Sequence, residues 1–250
     1  MDAAGTIRRG HALFSFGRTD WADLWYNIKT AVLHSFYRNQ VKHMDWISTI
    51  YGSYGPSLQR VMDELVERIQ AYSDGIKEKS GEAAYEHLLY RIKSPDSMME
   101  KCLRKGLPQT AYSALHDIRD AIGLRIVCCF LDDIYRNIEA IKAIPGVCVV
   151  EEKDYIQNVK PNGYRSYHMI IDIEAPYEDV EGNNPGHFFA EIQLRTIAMD
   201  SWASLEHQMK YKHDIKNPEM IVRELKRCAD ELAACDLSMQ TIRNLIHADH

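Results

Sequence analysis

The nearly continuous apolar run at residues 121–130, AIGLRIVCCF, constrains this chain more than any other stretch. It is too short for a membrane span, which needs about 18 unbroken apolar residues, and no other stretch approaches that length. Bounded by polar residues, it fits a strand buried on both faces at the centre of a sheet. The segments around it supply partners. Residues 84–93, 147–155, 165–173 and 187–195 have strand character, and residues 131–144 form an amphipathic helix. Ser94-Pro95-Asp96 opens another helix, Gly163 marks a turn, and the acid-rich EAPYEDVEGNNPG reads as a solvated loop. Strands interleaved with helices predict an α+β fold, a mixed β-sheet flanked by helices. A chain of 250 residues, 46% of them hydrophobic, can bury one core of that kind.

Helices are expected on either side of this sheet. Residues 19–50 and 56–80 have helical character, the second stretch opening at Gly55-Pro56-Ser57 with Leu58, Val61, Leu65 and Ile69 at steps of three and four. Beyond Met199 the chain is helical again, with Trp202, Leu205 and Met209 read as core and Glu206 with Lys210 as an i,i+4 pair. The last helix opens at Asn217-Pro218-Glu219, a cap residue followed by proline and an acid facing the helix dipole. Ile221, Leu225, Cys228, Leu232, Cys235, Met239, Ile242 and Ile246 then alternate steps of four and three, the period of a helix-packing seam. Such a seam covers the chain's own core or meets a second copy. The expected organisation is a helical region at 1–83, a core at 84–214 and a C-terminal helix at 215–250. The 6 cysteines include no C-x-x-C and read as reduced residues of a cytoplasmic protein. A formal charge of -6 argues against bulk attraction to nucleic acid, though not against a local basic pocket.

Four constellations carry candidate chemistry. In the first, Arg91 and Lys93 precede the helix opened by Ser94, and Ser97, Lys101, Arg104 and Lys105 follow on it. Free N–H groups at a helix start together with such cations suit a polyphosphate, although charge runs are more often solvated faces. In the second, Asp120 leads into the apolar strand ahead of Gly123 and Arg125. A carboxylate there suits magnesium, which takes one or two carboxylates and completes its shell with water and phosphate oxygens. Asp120 and Arg125 share one site only if Asp120 lies outside the regular strand or Gly123 breaks the alternation. In the third, Lys160-Pro161-Asn162-Gly163 turns the chain before Tyr164, Arg165 and His168, offering a ring for a base and cations for phosphates. In the fourth, period two places Phe188, Ala190, Ile192 and Leu194 on one face and Glu191, Gln193 and Arg195 on the other. That polar row is a candidate substrate floor; a half-exposed sheet with a cross-strand ion pair would look the same.

In this order, RIKSPDSMMEK, DAIGLR, KPNGYRSYH and EIQLRTIAMDSWASLEH resemble the synthetase domain of the RelA/SpoT family over residues 91–212, and the terminal helix resembles that of its small, single-domain alarmone synthetases. The order Asp120-Ala121-Ile122-Gly123 departs from the family's more frequent D-I-A-G with spacing kept, so a local repacking is expected. The resemblance implies a polymerase-beta-like nucleotidyltransferase fold. It also implies transfer of the β,γ-pyrophosphate of ATP to the 3′-hydroxyl of GDP or GTP and release of AMP; Val159, where the family often has Pro, and Asp200, where some members have Asn, leave the preference among GDP, GTP and GMP open. By the same resemblance Asp120 and Glu191 hold magnesium, and Glu191 takes the ribose proton. Arg91 and Arg125 lie on adenine, and Lys93, Ser97, Lys101 and Arg104 on the triphosphate. Tyr164 stacks on guanine, Lys160 and His168 meet the acceptor's phosphates, and Gln193 and Asp200 help to seat it. A homo-oligomer, with a tetramer preferred, is implied too. So is synthesis without hydrolysis, because 250 residues leave no room for the family's large helical hydrolase domain around His116-Asp117 or His213-Asp214. Two alternatives stand beside this reading. A same-fold enzyme acting on the tRNA 3′ end would need a basic track such as Arg8, Arg9, Arg104 and Lys105, and a non-catalytic nucleotide- or RNA-binding regulator would have no need of the two carboxylates.

Overall fold

The structure, a computed structural model, describes residues 45–211 and 217–248. Of the helical stretch expected over residues 19–50, residues 19–44 lie outside the described residues, as do Arg8, Arg9 and His213-Asp214, and residues 45–50 hold no α-helix. Trp46–Ser48 and Gly52–Tyr54 form short 3-10 turns that lead into α1, Gly55–Ser80. Pro56 sits in the first turn of α1, and Gly81, left-handed at φ 79°, ends it. Leu58, Val61, Leu65 and Ile69 are buried as their spacing predicts.

The chain continues as β1 (His87–Ile92), α2 (Pro95–Lys105), β2 (Ile122–Cys128), α3 (Leu131–Lys142), β3 (Val147–Asp154), β4 (Tyr167–Ala175), β5 (Gly186–Thr196), α4 (Ile197–Tyr211) and α5 (Pro218–Ala248). The strands form one mixed sheet in the order β1-β2-β5-β4-β3. Only the β2–β5 pair is parallel. The run that reads as central is central: Ile122, Leu124, Ile126, Val127 and Cys128 are all buried. On β5, Phe188, Ala190, Ile192 and Leu194 face the core, as alternation requires. Each large side chain sealed there stabilises the fold by about 1.5–3 kcal/mol. Helix α3 packs against β2, β3 and β5 through Ile134, Ile138 and Ile141.

Two expectations are corrected, and the two readings left open for the seam are narrowed. Leu205 and Met209 are exposed, because α4 is covered only near its start, where Met199 and Trp202 are buried. The loop after β4 is not merely solvated: Asp179 is buried and accepts the backbone N–H groups of Glu181, Asn183 and His187. The seam on α5 does not cover the sheet. The buried residues of α5 are Leu225, Ala229 and Gln240, whereas Ile221, Met239, Ile242 and Ile246 are exposed, as are Cys228 and Cys235.

Candidate active site

The polar face of the sheet gathers most of the candidate residues, and strand register explains why. Arg91 pairs with Gly123 and Gly123 with Glu191, so one row crosses β1, β2 and β5. The neighbouring row runs from Arg125 through Gln193 to His168 on β4. Residues paired across strands point to the same face. Gly123 adds no side chain, and an open cleft lies over it, lined by Arg91, Lys93, Asp120, Arg125, Glu191 and Gln193 among others. Asp120 reaches the same cleft as Arg125 because it stands before β2 begins at Ile122, outside the regular alternation.

Local structure holds each group in place. The Lys93 N–H donates to the Ala121 carbonyl at 2.8 Å and so ties the end of β1 to the start of β2. Tyr51, fully buried, donates its hydroxyl to the Lys93 carbonyl at 2.6 Å. Ser94 caps α2 by accepting the Ser97 N–H, as its sequence position predicts. The spacing of Ser97, Lys101 and Arg104 puts them on one face of α2. Of these, Lys101 reaches the cleft group, donating to Asp120 Oδ2 at 2.5 Å. Ser97 hydrogen-bonds back to Ser94, and Arg104 is exposed in the last turn; neither lines the cleft.

The electrostatics centre on two carboxylates. The Lys93 ammonium also binds Asp120 Oδ2, while Asp120 Oδ1 is buried without a hydrogen-bond partner. Burial pushes the Asp120 carboxyl up, but Lys101 and Lys93 together bring it below the usual aspartate range. Lys93 is also lowered, since burial there outweighs its attraction to Asp120. The two partners therefore shift in the same direction, which reports how costly an ammonium is at this depth. Glu191 is pushed up by burial and by Asp120, yet it ends below the ordinary glutamate range because His168 and Gln193 favour its charge. Its Oε2 accepts from Gln193 at 3.1 Å, and His168 Nδ1 lies 3.6 Å from Oε1, an electrostatic contact too long for a hydrogen bond.

A polar chain joins the cleft to the Lys160–His168 segment through Arg195. This side chain donates to Gln193 at 2.9 Å, Tyr164 at 2.7 Å, Asp200 at 3.0 Å and Ser166 at 3.2 Å. Arg125 meets the same Asp200 oxygen at 3.2 Å. The Tyr164 oxygen accepts from Arg195 and hydrogen-bonds His168 Nε2 at 2.8 Å, and the Nδ1 side of that imidazole faces Glu191. Lys160 sits over the rings of Tyr155 and Tyr164, at 4.3 and 5.0 Å. Period two places Arg195 on this face, but it gives no sign that Arg195 is buried and linked four ways; Tyr51, Tyr155 and Ser166 carry no sequence signal of a role here.

The arrangement has the parts that phosphoryl-type transfer needs: two ionised carboxylates beside a cleft, cations converging on one of them, and an aromatic ring within reach. The family model described as the region found in RelA / SpoT proteins matches residues 90–216. The GTP pyrophosphokinase YwaC of Bacillus subtilis (strain 168) is 36% identical over 206 residues, 81% of this chain and 96% of that protein. YjbM, a GTP pyrophosphokinase of the same organism, is 34% identical over 188 residues, 74% and 84% of the two chains. Among solved structures, small alarmone synthetase 1 from Bacillus subtilis bound to its product pppGpp is similar with a TM-score of 0.65 and 32% identity, covering 76% of this chain and 94% of that one. Small alarmone synthetase 2 from the same organism has a TM-score of 0.63 and 37% identity, covering 75% and 95%.

Proposed function

The chain belongs to the RelA/SpoT family, among its small alarmone synthetases, and on that premise we propose that it is a (p)ppGpp synthetase that moves the β,γ-pyrophosphate of ATP to the 3′-hydroxyl of GDP or GTP. The observation that carries this reading is the continuous polar network from Arg125 through Asp200 and Arg195 to Tyr164, His168 and Glu191, which joins a donor half to an acceptor half. In the donor half Arg91 and Arg125 lie against adenine. Lys93 and Lys101 exchange Asp120 for the triphosphate, with Ser97 at the helix start and Arg104 farther along α2. In the acceptor half Tyr164 stacks on guanine, Lys160 and His168 take its phosphates, and Gln193 and Asp200 orient it. The bond from the 3′-oxygen to the β-phosphorus forms as the bond from that phosphorus to the AMP oxygen breaks. The ribose proton passes to Glu191, a weak base at its lowered pKa but fully ionised at neutral pH.

The residues fit magnesium. Asp120 offers a buried oxygen with no other partner, and Glu191 a second ionised carboxylate. Among the described residues no group of three or more His, Cys, Asp and Glu gathers, and magnesium needs only one or two carboxylates when phosphates and water supply the rest. Bound there, magnesium would neutralise charge on the transferred group and on the leaving phosphate. A regulator that only binds nucleotides has no use for these carboxylates.

Incubating the protein with ATP labelled in its γ-phosphate, and with GDP, GTP, GMP or tRNA in separate arms, tests this reading directly. Label is expected in a guanine nucleotide, with AMP formed in equal amount. Label in tRNA alone would move the assignment to tRNA 3′ ends, and label in neither would overturn it. Tyr164→Ala is expected to weaken acceptor binding by about 1–3 kcal/mol of stacking and leave ATP binding nearly unchanged. Separate calorimetric titrations check this, and a loss confined to ATP would put Tyr164 in the wrong half.

The reading extends to assembly and location. No described helix is long and apolar enough to cross a membrane. The free cysteines suit the cytoplasm. The exposed α5 seam fits a homo-oligomer, a tetramer by preference, closed by symmetric helix contacts. Leu232 packs on the protein's own Trp202 cluster, so Met239 and Ile242 are the cleaner probes. Met239→Asp with Ile242→Asp would bury unpaired charge in that contact and is expected to split the assembly. Light scattering after gel filtration reads the outcome, and an unsubstituted protein running at its chain mass of 28.9 kDa would exclude the interface.

A further inference from the structure

The segment that bears Lys160 and Tyr164 is not self-supporting. Gly163 is left-handed at φ 90°, and a Cβ built there would lie 2.6 Å from the Ala229 Cβ and 3.1 Å from the Lys226 Cα, so the turn rests directly on the backbone of α5. Arg165 then clamps it: one guanidinium nitrogen donates to the Gly163 and Ala229 carbonyls, both at 3.2 Å, and the other meets Asp230 Oδ1 at 2.9 Å. Tyr164 packs on the cluster of Trp202, Leu225 and Ala229, and the Trp202 indole donates to the Leu225 carbonyl at 2.9 Å. About two turns farther on, the Asp236 carboxyl accepts from Thr196 at 2.6 Å, tying α5 to the end of β5. All these α5 residues lie beyond residue 216, where the family match ends. None of them lines the cleft over Asp120 and Glu191.

We propose that α5 is the positioning element of the acceptor half, with Ala229 and Asp230 as positioning residues that set the Lys160–Arg165 turn, so that acceptor binding depends on this helix and donor binding does not. The inference rests on the functional reading given above. The turn rests on the helix, and the ring that stacks on the base packs against the same helix through Leu225 and Ala229. Displacing the helix side moves the ring. The donor residues Arg91, Lys93 and Asp120 are held instead by β1, β2 and Tyr51, so they do not feel the change. The α5 seam that would meet a second copy lies on the exposed side of the same helix, so contacts made there act on the element that seats the turn.

The test uses the full chain with Asp230→Ala, Asp230→Glu and Ala229→Leu, measuring KM for ATP and for GTP, kcat, calorimetric GDP affinity and the melting temperature. Asp230 shares its charge with Lys226 and is half-exposed, so its removal is expected to raise the acceptor KM roughly three- to fivefold, with the ATP KM and kcat unchanged. Asp230→Glu should restore the wild-type value. Ala229→Leu presses on the Gly163 backbone and is expected to raise the acceptor KM by roughly tenfold or more. Donor and acceptor constants that rise together, or acceptor constants unmoved in folded Asp230→Ala protein, overturn the proposal. If the unsubstituted protein transfers nothing, the functional reading has failed, and the GDP affinities of the same variants still decide whether α5 seats the turn.

Discussion

Glu191→Gln is expected to slow pyrophosphate transfer by about 10²–10³-fold or more while the protein stays folded. Shape and hydrogen-bonding reach are conserved, and what disappears is a single negative charge on the polar side of β5, opposite the Ile192 and Leu194 core face. On the functional reading proposed above, that charge would hold magnesium together with Asp120 and would accept the ribose proton. Stability should change by about 1 kcal/mol or less, since Gln193 and His168 lose a favourable partner while the repulsion between Glu191 and Asp120 is relieved. Single-turnover transfer at saturating magnesium reads the first quantity and a melting curve the second. Transfer within a few fold of the unsubstituted protein would remove Glu191 from the chemistry.

The sequence made the sheet legible because its signals are local. The run around Leu124 and Ile126 could be buried only as a central strand, and alternation assigned the two faces of β5 correctly from Phe188 to Gln193. Caps placed the starts of α2 and α5. Most of the site was legible for a different reason, since motif resemblance gathers residues that lie far apart in the chain. What escaped depends on packing between elements. Period two cannot distinguish Gln193, at the cleft, from Arg195, sealed beneath Tyr164, because both have the same parity; the difference arises where α4 crosses β5 and brings Asp200 over the strand. Spacing likewise puts Arg104 on the face of α2 that carries Ser97 and Lys101, but it does not tell that Arg104 stands on the last, exposed turn, apart from the cleft lining. The seam of α5 showed an apolar stripe but not which stripe faces inward. Leu225 and Ala229 dock, and Met239 with Ile242 is left outside, because the docking face is offset around the helix from the seam over its whole length; Ile221 and Cys228, near its start, are exposed as well.

Arg195→Met is expected to cost about 3 kcal/mol of folding stability and also to weaken acceptor binding, because the same guanidinium serves both. Removing one partner of a buried charged network is strongly destabilising, about 3–5 kcal/mol, since the groups left behind keep their desolvation cost without their partner. The lower end applies here because Asp200 retains Arg125 at 3.2 Å, so one carboxylate is not stranded. Gln193 Oε1 and Ser166 Oγ would lose a donor, and the Tyr164 hydroxyl would keep only His168. Against a total of about 5–15 kcal/mol, the variant should still fold. The Tyr164 ring, now held by its contacts with the Trp202 cluster and by a single hydrogen bond, would sample other positions, and the acceptor KM should rise while the ATP KM holds. Arg195→Lys separates charge from geometry: an ammonium keeps the charge beside Asp200 but cannot span four partners from one planar fork, so it should recover part of the stability and little of the acceptor affinity. Urea unfolding measures the first quantity and steady-state kinetics with each nucleotide the second. A methionine variant as stable as the unsubstituted protein, with an unchanged acceptor KM, would show that the buried guanidinium only fills space and that Tyr164 is held by its hydrophobic contacts alone.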